Sequence, residues 1–282
     1  MIPVSMLSAY LYCPRKLYLE RVLKFSEPTR ESTLKGTIKH LVFAGFSERE
    51  KRLISSILPE HSFNDIRKML EEAYAGELRN AIIQKKKSIL RLNHEPAGIH
   101  RKLWPVFEAD IEARAKRIWE FIQKEKKYGQ ELWEKLTPKT KSEYFIESEK
   151  LGLKGVVDQL LVYEGSLVPL EIKSGRPPEE GIWAGHRIQL AAYIMLIEDK
   201  FQTQVKKGVV YYLPEENREL HMNPFLKEDV LKTRDLVMNL LDSDNLPPIL
   251  KKESKCERCG IRKYCHNEDY IKEIQQKTLN TT

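Results

Sequence analysis

The sequence predicts an α/β protein with a mixed sheet flanked by helices, and three observations carry this prediction. Short runs rich in apolar residues predict three strands, Glu143–Glu149, Leu153–Tyr163 and Leu167–Lys173. A short turn, Glu164–Ser166, joins the last two strands as a hairpin. A helical stretch follows from about Trp183 to Glu198, and an apolar strand run returns at Val209–Leu213. This order of elements is typical of a mixed sheet with helices on its faces.

Helices dominate the chain before these strands. Two short helices are expected to meet at Cys13–Pro14, because proline suits the first turn of a helix, and Ser5 is a candidate N-cap for the first one. Residues 31 to about 57, 62 to about 92 and 98 to about 136 have helical periodicity. After the sheet we expect a short strand, Glu219–Met222, and a helix, Pro224–Leu241. The tail beyond about Lys272 is expected to fray.

Composition limits the class of protein. The 282 residues are 41% hydrophobic and 32% charged, which fits a soluble globular protein. No run approaches the roughly 18 apolar residues that a membrane span needs. The first residues, Met1–Ser5, lack the basic and apolar regions of a signal peptide, so we expect a cytoplasmic protein without membrane association.

The net charge of +7 favours a polyanionic partner such as DNA, although the charge alone equally fits a role in solubility. Many lysines and arginines fall in the predicted helices between about 62 and 136, where Trp104, Trp119 and Trp133 interrupt them. Most of these basic residues are expected on solvated helix faces with the tryptophans as core anchors. A subset could form a basic wall for the DNA backbone.

Two carboxylates and a lysine form the candidate catalytic set. Glu171 and Lys173 are two residues apart in a strand, so their side chains point the same way. Asp158 approaches Glu171 if the two strands pair across their turn. Two carboxylates beside a backbone carbonyl suit Mg²⁺ or Mn²⁺, and the lysine can orient a water or stabilise developing charge. The alternative is a solvent-facing pair of little consequence, but the apolar flanking residues favour a buried site.

Polar residues on two helices could complete this site. Gln189 and Tyr193 lie on one helix face and could hold a phosphate or Lys173, or be ordinary surface residues. Gly36 and His40 are also four apart, and a glycine inside a helix, which costs about 1 kcal/mol, suits a point of close backbone approach. His40 is a candidate metal ligand or acid–base group, with a satisfied core histidine as the alternative. His186 is a weaker candidate for substrate contact.

The four cysteines predict a metal site. Cys256, Cys259 and Cys265 lie within ten residues in a basic segment, and Cys13 is the fourth. In a reducing compartment this spacing favours metal binding over disulfides. Thiolates bind Zn²⁺ or iron–sulfur clusters, and the adjacent His266 could substitute as a ligand. A site that joins both ends of the chain would make metal binding part of folding stability.

These motifs together resemble those of a known family. Four motifs resemble the RecB-type signature of the PD-(D/E)xK nuclease superfamily. They are Asp158, Glu171-Ile172-Lys173, Gln189-x3-Tyr193 and the upstream Gly36-x3-His40. Cys13-Pro-Arg-Lys-Leu-Tyr and the three later cysteines are similar to the iron–sulfur RecB-like nucleases. The combination is most similar to the fourth family of CRISPR-associated proteins, exonucleases of spacer acquisition. The resemblance covers residues 1–50 and 143–266.

The resemblance implies a PD-(D/E)xK restriction-endonuclease-like fold, with one RecB-like nuclease domain over residues 1–282. This domain would contain a helical insertion at about 50–140 and an iron–sulfur element formed by Cys13 and about 250–266. A [4Fe-4S] cluster is favoured over [2Fe-2S], held by Cys13, Cys256, Cys259 and Cys265. The implied Mn²⁺ or Mg²⁺ ligands are His40, Asp158, Glu171 and the carbonyl of Ile172.

The implied activity is a DNA exonuclease, acting on single strands or DNA ends, that processes prespacers with the CRISPR integrase proteins. In this scheme Lys173 is catalytic together with Asp158 and Glu171, and Gln189 and Tyr193 bind substrate. The resemblance also implies a role in antiviral defence.

The chain departs from the family pattern in two ways. Valine precedes Asp158 where proline is usual, and over 110 residues separate His40 from Asp158, which is longer than in typical members. The long segment leaves open a CRISPR variant subgroup and a stand-alone RecB-like repair nuclease. Two further alternatives are an integrase-associated DNA-binding scaffold without significant cleavage and a zinc-stabilised repair enzyme.

Overall fold

Helices form the first half of the chain and a sheet occupies the centre. The structure, a computed structural model, describes residues 1–173, 175–212, 216–250, 253–257 and 259–279. The strands are β1 Ile2–Pro3, β2 Lys139–Ser148, β3 Leu153–Tyr163, β4 Ser166–Lys173, β5 Lys207–Tyr212 and β6 Glu216–His221. The helices are α1 Val4–Tyr12, α2 Pro14–Arg21, α3 Glu31–Ser55, α4 Phe63–Arg91, α5 Pro96–Glu125, α6 Gly129–Lys135, α7 Ala184–Phe201, α8 Pro224–Leu241, α9 Glu253–Glu257, α10 Arg262–Cys265 and α11 Glu268–Leu279.

The strands form one mixed sheet, as predicted. Its order is β1-β3-β4-β5-β6, and β2 also pairs with β3. β2 and β4 both run antiparallel to β3, whereas β4 and β5 are parallel across the α7 connection. The β3–β4 pairing begins at Gln159 and Leu170. Asp158 therefore lies where these two strands separate.

Two apolar cores lie in the molecule. The first joins the sheet to α1, α2, α7 and α8, and α7 is buried on every side from Ile188 to Ile197. The second lies among α3, α4, α5 and α6, where the rings of Phe46 and Tyr74 stack with centroids 4.2 Å apart. Ile172 of β4 belongs to this second core. The end of β4 is thus held between the two cores, which fixes the residues beside Ile172.

A buried polar network crosses the second core. Arg114 of α5 donates from Nη1 to Glu50 Oε1 at 2.6 Å and from Nε to Asp110 Oδ2 at 2.7 Å. Tyr74 of α4 donates its hydroxyl to the same Asp110 carboxylate. Arg114 and Glu50 are both buried, so the charges compensate each other away from water. This network ties α3, α4 and α5 together.

Most predicted elements are confirmed, apart from shifts of a few residues at their ends and three larger differences. α1 begins at Val4 after an extended Pro3, so the prediction of Ser5 as its N-cap was wrong. The pattern over residues 98–136 forms two helices, because Lys126 is left-handed, with φ of +52°, and ends α5. The tail beyond Lys272 is helical as far as the structure describes it, in α11. Leu213, the last residue of one predicted strand, lies outside the described residues.

The tryptophans of the helical region, Trp104, Trp119 and Trp133, pack against the second core, as predicted. Among the described residues, the helices are too short or too polar to cross a lipid bilayer.

Candidate active site

Two neighbouring strands bring the predicted carboxylates together. Asp158 on β3 and Glu171 on β4 are at opposite positions where the strands separate, and both are buried, with 8% and 3% of their surfaces exposed. Asp158 Oδ2 accepts a hydrogen bond of 2.7 Å from the backbone N–H of Ile172. The carboxylates are thus part of the interior, as the apolar flanks predicted, and the alternative of a solvent-facing pair is wrong.

Lys173 contacts one oxygen of Glu171. Its Nζ donates to Glu171 Oε1 at 2.7 Å and to Gln189 Oε1 at 3.0 Å. Gln189 Nε2 donates to the same Glu171 oxygen at 2.7 Å and lies 3.4 Å from the Tyr193 hydroxyl. Gln189 and Tyr193, one turn apart on α7, are both buried. Their contacts hold Glu171 and Lys173 in place, and a direct contact with substrate stays a prediction.

The second oxygen of Glu171 has a different environment. Glu171 Oε2 is buried and has no hydrogen-bond partner among the residues that the structure describes. An unsatisfied buried carboxylate oxygen is unfavourable by about 1–3 kcal/mol or more. A divalent cation prefers such hard oxygen ligands, so this oxygen fits a cation bound between Glu171 and Asp158.

Helix α3 brings His40 to the same site. Its Nδ1 lies 2.8 Å from Glu143 Oε1 and 3.5 Å from Asp158 Oδ1. One ligand atom each from His40, Glu143 and Asp158 lie within 4.8 Å of one another. The side chain of His40 is 37% exposed, so it is not a satisfied core histidine. Gly36, one turn earlier, faces open space, since no described protein atom lies within 4 Å of the position of a Cβ there.

Glu143 is the residue of this site that sequence reasoning missed. The sequence predicts it only as the first residue of a strand. The signal was present in the strand register: pairing of β2 with β3 around Asp158 puts Glu143 opposite that carboxylate.

The pKa values of Asp158, Glu171 and His40 are all raised above their ordinary values. Burial, with the charge of Glu171 as the next cause, raises the pKa of Asp158 to about 7. Burial likewise raises the pKa of Glu171. The hydrogen bond to Glu143 raises the pKa of His40, aided by the charge of Asp158. Three carboxylates thus share a site in which the nearby cationic groups are Lys173 and a protonatable histidine, and a bound cation would relieve their repulsion.

His186 lies next to this set. Its Nδ1 is 3.0 Å from the hydroxyl of Tyr212, and burial, with the charge of Lys173 as a smaller cause, lowers its pKa to about 4. His186 is therefore neutral at physiological pH and adds no charge to the site.

The four cysteines line one cavity. Cys13 lies between α1 and α2, while Cys256, Cys259 and Cys265 come from the C-terminal segment, and all four are free thiols. Burial raises the pKa of the Cys13 thiol, and the charges of Cys259 and Cys256 add to this rise. The structure therefore brings the predicted sulfur ligands together. His266 lines the same cavity, so its role as a substitute ligand stays open.

Arg15 connects the two ends of the chain at this cavity. It is 4% exposed and donates to Cys265 Sγ at 3.3 Å, to Cys265 O at 3.1 Å and to Pro247 O at 2.7 Å. Lys255 adds a hydrogen bond of 2.9 Å to the carbonyl of Tyr12 and lies over the ring of that tyrosine. These contacts fasten the C-terminal segment beside α1 and α2.

The three relatives described next are all named as nucleases. The CRISPR-associated exonuclease Cas4/endonuclease Cas1 fusion of Leptospira interrogans is 29% identical over 153 residues, which is 50% of this chain and 28% of that protein. The CRISPR-associated exonuclease Cas4 of Rhodospirillum rubrum is 32% identical over 123 residues, 43% of this chain and 37% of that protein. The DNA replication ATP-dependent helicase/nuclease JHS1 of Arabidopsis thaliana is 23% identical over 274 residues, 90% of this chain and 19% of that protein.

The chain spans between 19% and 37% of the length of these three relatives. A model of the PD-(D/E)XK nuclease superfamily matches residues 2–266, a range that includes the mixed sheet, the paired carboxylates and Lys173. The chain belongs to the PD-(D/E)XK nuclease superfamily.

Proposed function

We propose that the chain is an exonuclease that depends on a divalent cation, Mn²⁺ or Mg²⁺, and cuts DNA. One observation carries the proposal: among the residues that the structure describes, the buried Oε2 of Glu171 has no hydrogen-bond partner, and the other oxygen of the same carboxylate accepts from Lys173. The cation ligands would be Glu171, Asp158, His40 and the carbonyl of Ile172. A bound cation supplies a Lewis acid for the phosphoryl oxygen and a water of lowered pKa.

The side chains of the site have separate roles in this proposal. Lys173, held by Gln189, donates hydrogen bonds to the attacking water or to the developing charge on the phosphate. Gln189 in turn fixes Glu171, and Tyr193 fixes Gln189 from the next turn of α7. The open space beside Gly36, on the same helix as His40, leaves room for the DNA backbone.

The four cysteines would hold a structural iron–sulfur cluster, with [4Fe-4S] favoured over [2Fe-2S]. Four free thiols on one cavity support this assignment, as does the hydrogen bond that Arg15 donates to Cys265 Sγ. A brown protein with absorbance near ~400 nm is expected. A colourless protein with one equivalent of zinc would contradict the cluster and favour the zinc alternative.

Residues 1–282 would form a single nuclease domain with the helices at about 50–140 as an insertion. We infer that the protein processes prespacer DNA ends alongside the CRISPR integrase proteins. The Leptospira relative supports this partner, because its name joins an exonuclease and an endonuclease of a CRISPR system in one chain.

A stand-alone RecB-like nuclease of DNA repair or replication is the second candidate. The match to the plant helicase/nuclease covers 90% of this chain, whereas the match to the Leptospira relative covers 50%. The match to the plant protein is therefore long enough to extend through the helical insertion. A DNA-binding scaffold without cleavage is the third candidate, but the complete set of Asp158, Glu171 and Lys173 argues against it.

Cleavage of end-labelled single-stranded DNA in Mn²⁺ tests the function. The parent protein should shorten the DNA from an end, and Asp158→Ala should lose the activity while retaining DNA binding. Cleavage by Asp158→Ala at the parental rate would show that the assigned site is wrong. Binding by the parent without any cleavage would favour the scaffold.

A further inference from the structure

Glu143 has an unusual backbone conformation for a residue within a strand. Its φ is +50°, in the left-handed region that residues other than glycine seldom adopt. The neighbouring pairs of the β2–β3 ladder are Ser142 with Gln159 and Tyr144 with Val157, so Glu143 lies opposite Asp158 at the position where the ladder is interrupted. Such strain persists only where the surrounding structure holds it.

This conformation places the Glu143 carboxylate on the solvent side of the carboxylate pair. Glu143 Oε1 is 2.8 Å from Nδ1 of His40, and the Glu143 side chain is 36% exposed, whereas that of Asp158 is 9% exposed. Ligand atoms of His40, Glu143 and Asp158 lie within 4.8 Å of one another. A nitrogen and two carboxylate oxygens at this spacing can reach a common cation.

A third carboxylate at this point is unfavourable unless a cation is present. Asp158 and Glu171 are already buried at facing positions of β3 and β4, and Glu143 adds a third carboxylate from β2. Independently of this cluster, the buried Oε2 of Glu171 has no hydrogen-bond partner within the described part of the chain, so it is free to bind a cation at the same site. Both observations are explained by a cation that the carboxylates share.

We propose that Glu143 is a direct ligand of the divalent cation, together with His40 and Asp158. This inference rests on the proposed function, because it adds a ligand to the cation centre assigned there. The alternative is that Glu143 only orients His40 through their hydrogen bond. The two roles differ in what they require: a neutral amide can accept the same hydrogen bond, but only a carboxylate adds charge to a cation site.

Calorimetric titration of the full chain with Mn²⁺, without DNA, separates these roles. Glu143→Gln keeps the acceptor for His40 and should weaken Mn²⁺ binding at least about tenfold, the lower end of the losses seen when metal sites lose supporting groups. Glu147→Gln, an exposed change on the same strand, is the matched control and should bind as the parent does. Glu143→Gly should show the same loss as Glu143→Gln, since glycine adopts the left-handed conformation freely and keeps the strand intact.

Parental Mn²⁺ affinity in both Glu143 variants would overturn the inference, as would an equal loss in Glu147→Gln. Asp158→Ala distinguishes the two proposals. If it loses Mn²⁺ binding while the Glu143 variants retain it, the cation centre stands and only the role of Glu143 is wrong. If the parent protein itself binds no Mn²⁺, both proposals fail.

Discussion

Asp158→Asn should make the cation-free protein more stable while it removes the proposed nuclease activity. Asparagine has nearly the same shape and keeps an oxygen to accept the N–H of Ile172, which lies 2.7 Å from the carboxylate. It removes a negative charge that is buried beside Glu171. The substitution therefore isolates what the charge itself contributes to folding.

The size of the effect follows from the pKa of Asp158. Burial raises it from 3.8 to about 7, a difference of roughly three units, which corresponds to about 4 kcal/mol once the group is fully ionised. The folded state then holds a proton more tightly than the unfolded chain does. The contribution of Asp158 to the free energy of unfolding is therefore fully present below about pH 4, and it is lost as the pH rises through 7.

Calorimetric unfolding in EDTA at pH 8 and pH 5 tests this prediction. At pH 8 the Asp158→Asn protein should exceed the parent by up to about 4 kcal/mol, and at pH 5 by less than about 2 kcal/mol, because the parental carboxyl is then mostly protonated. Glu147→Gln should show no such pH-dependent gain. An Asp158→Asn protein no more stable than its parent at pH 8, or a gain that is equal at both pH values, would refute the argument.

Three further substitutions test other parts of the structure. Arg15→Met should lower the iron content and visible absorbance of the purified protein, because Arg15 donates to Cys265 Sγ, and parental absorbance would contradict a supporting role of Arg15 at the proposed cluster. Arg114→Met leaves Glu50 buried without its partner and should cost about 3–5 kcal/mol in urea unfolding, while a loss below 1 kcal/mol would contradict the network. Gly155→Ala places a Cβ 2.7 Å from the Tyr193 ring, so it should lower the free energy of unfolding by about 1–3 kcal/mol and slow cleavage. Parental stability and parental cleavage together would show that Tyr193 moves freely.

Local sequence patterns were sufficient to predict most strands of the sheet. The bounds of β3 and α8 match their predictions, because the apolar run of Leu153–Tyr163 and the helical period of Pro224–Leu241 both end at turn residues. The turn at Gly165, where φ is +75°, fixes the register of β3 on β4. That register brought Asp158 to Glu171, so the paired carboxylates could be predicted.

Features set by distant contacts could not be predicted in this way. The start of α1 is determined by Ile2 and Pro3, which pair with β3 about 150 residues later in the chain. Arg15 meets Cys265 across a separation of 250 residues, and nothing in either local sequence indicates this contact. Lys126 takes a left-handed conformation with no glycine to signal it.

Glu143 illustrates both situations. Its left-handed backbone has no local signal, because an isolated glutamate in a strand is ordinarily extended. Its position opposite Asp158 could have been read from the antiparallel pairing of β2 with β3, had that pairing been predicted residue by residue. The pairing depends on the start of β2, which lies four residues earlier than the predicted strand, at Lys139.

The rate at which Lys173→Met cuts end-labelled single-stranded DNA in Mn²⁺ tests the central claim most directly. Methionine retains the apolar length of the side chain but cannot donate to Glu171 or to a water, so DNA binding should persist while the cleavage rate falls at least about 100-fold. Cleavage by Lys173→Met within a few-fold of the parental rate, at equal DNA binding, would contradict a catalytic centre built on Asp158, Glu171 and Lys173.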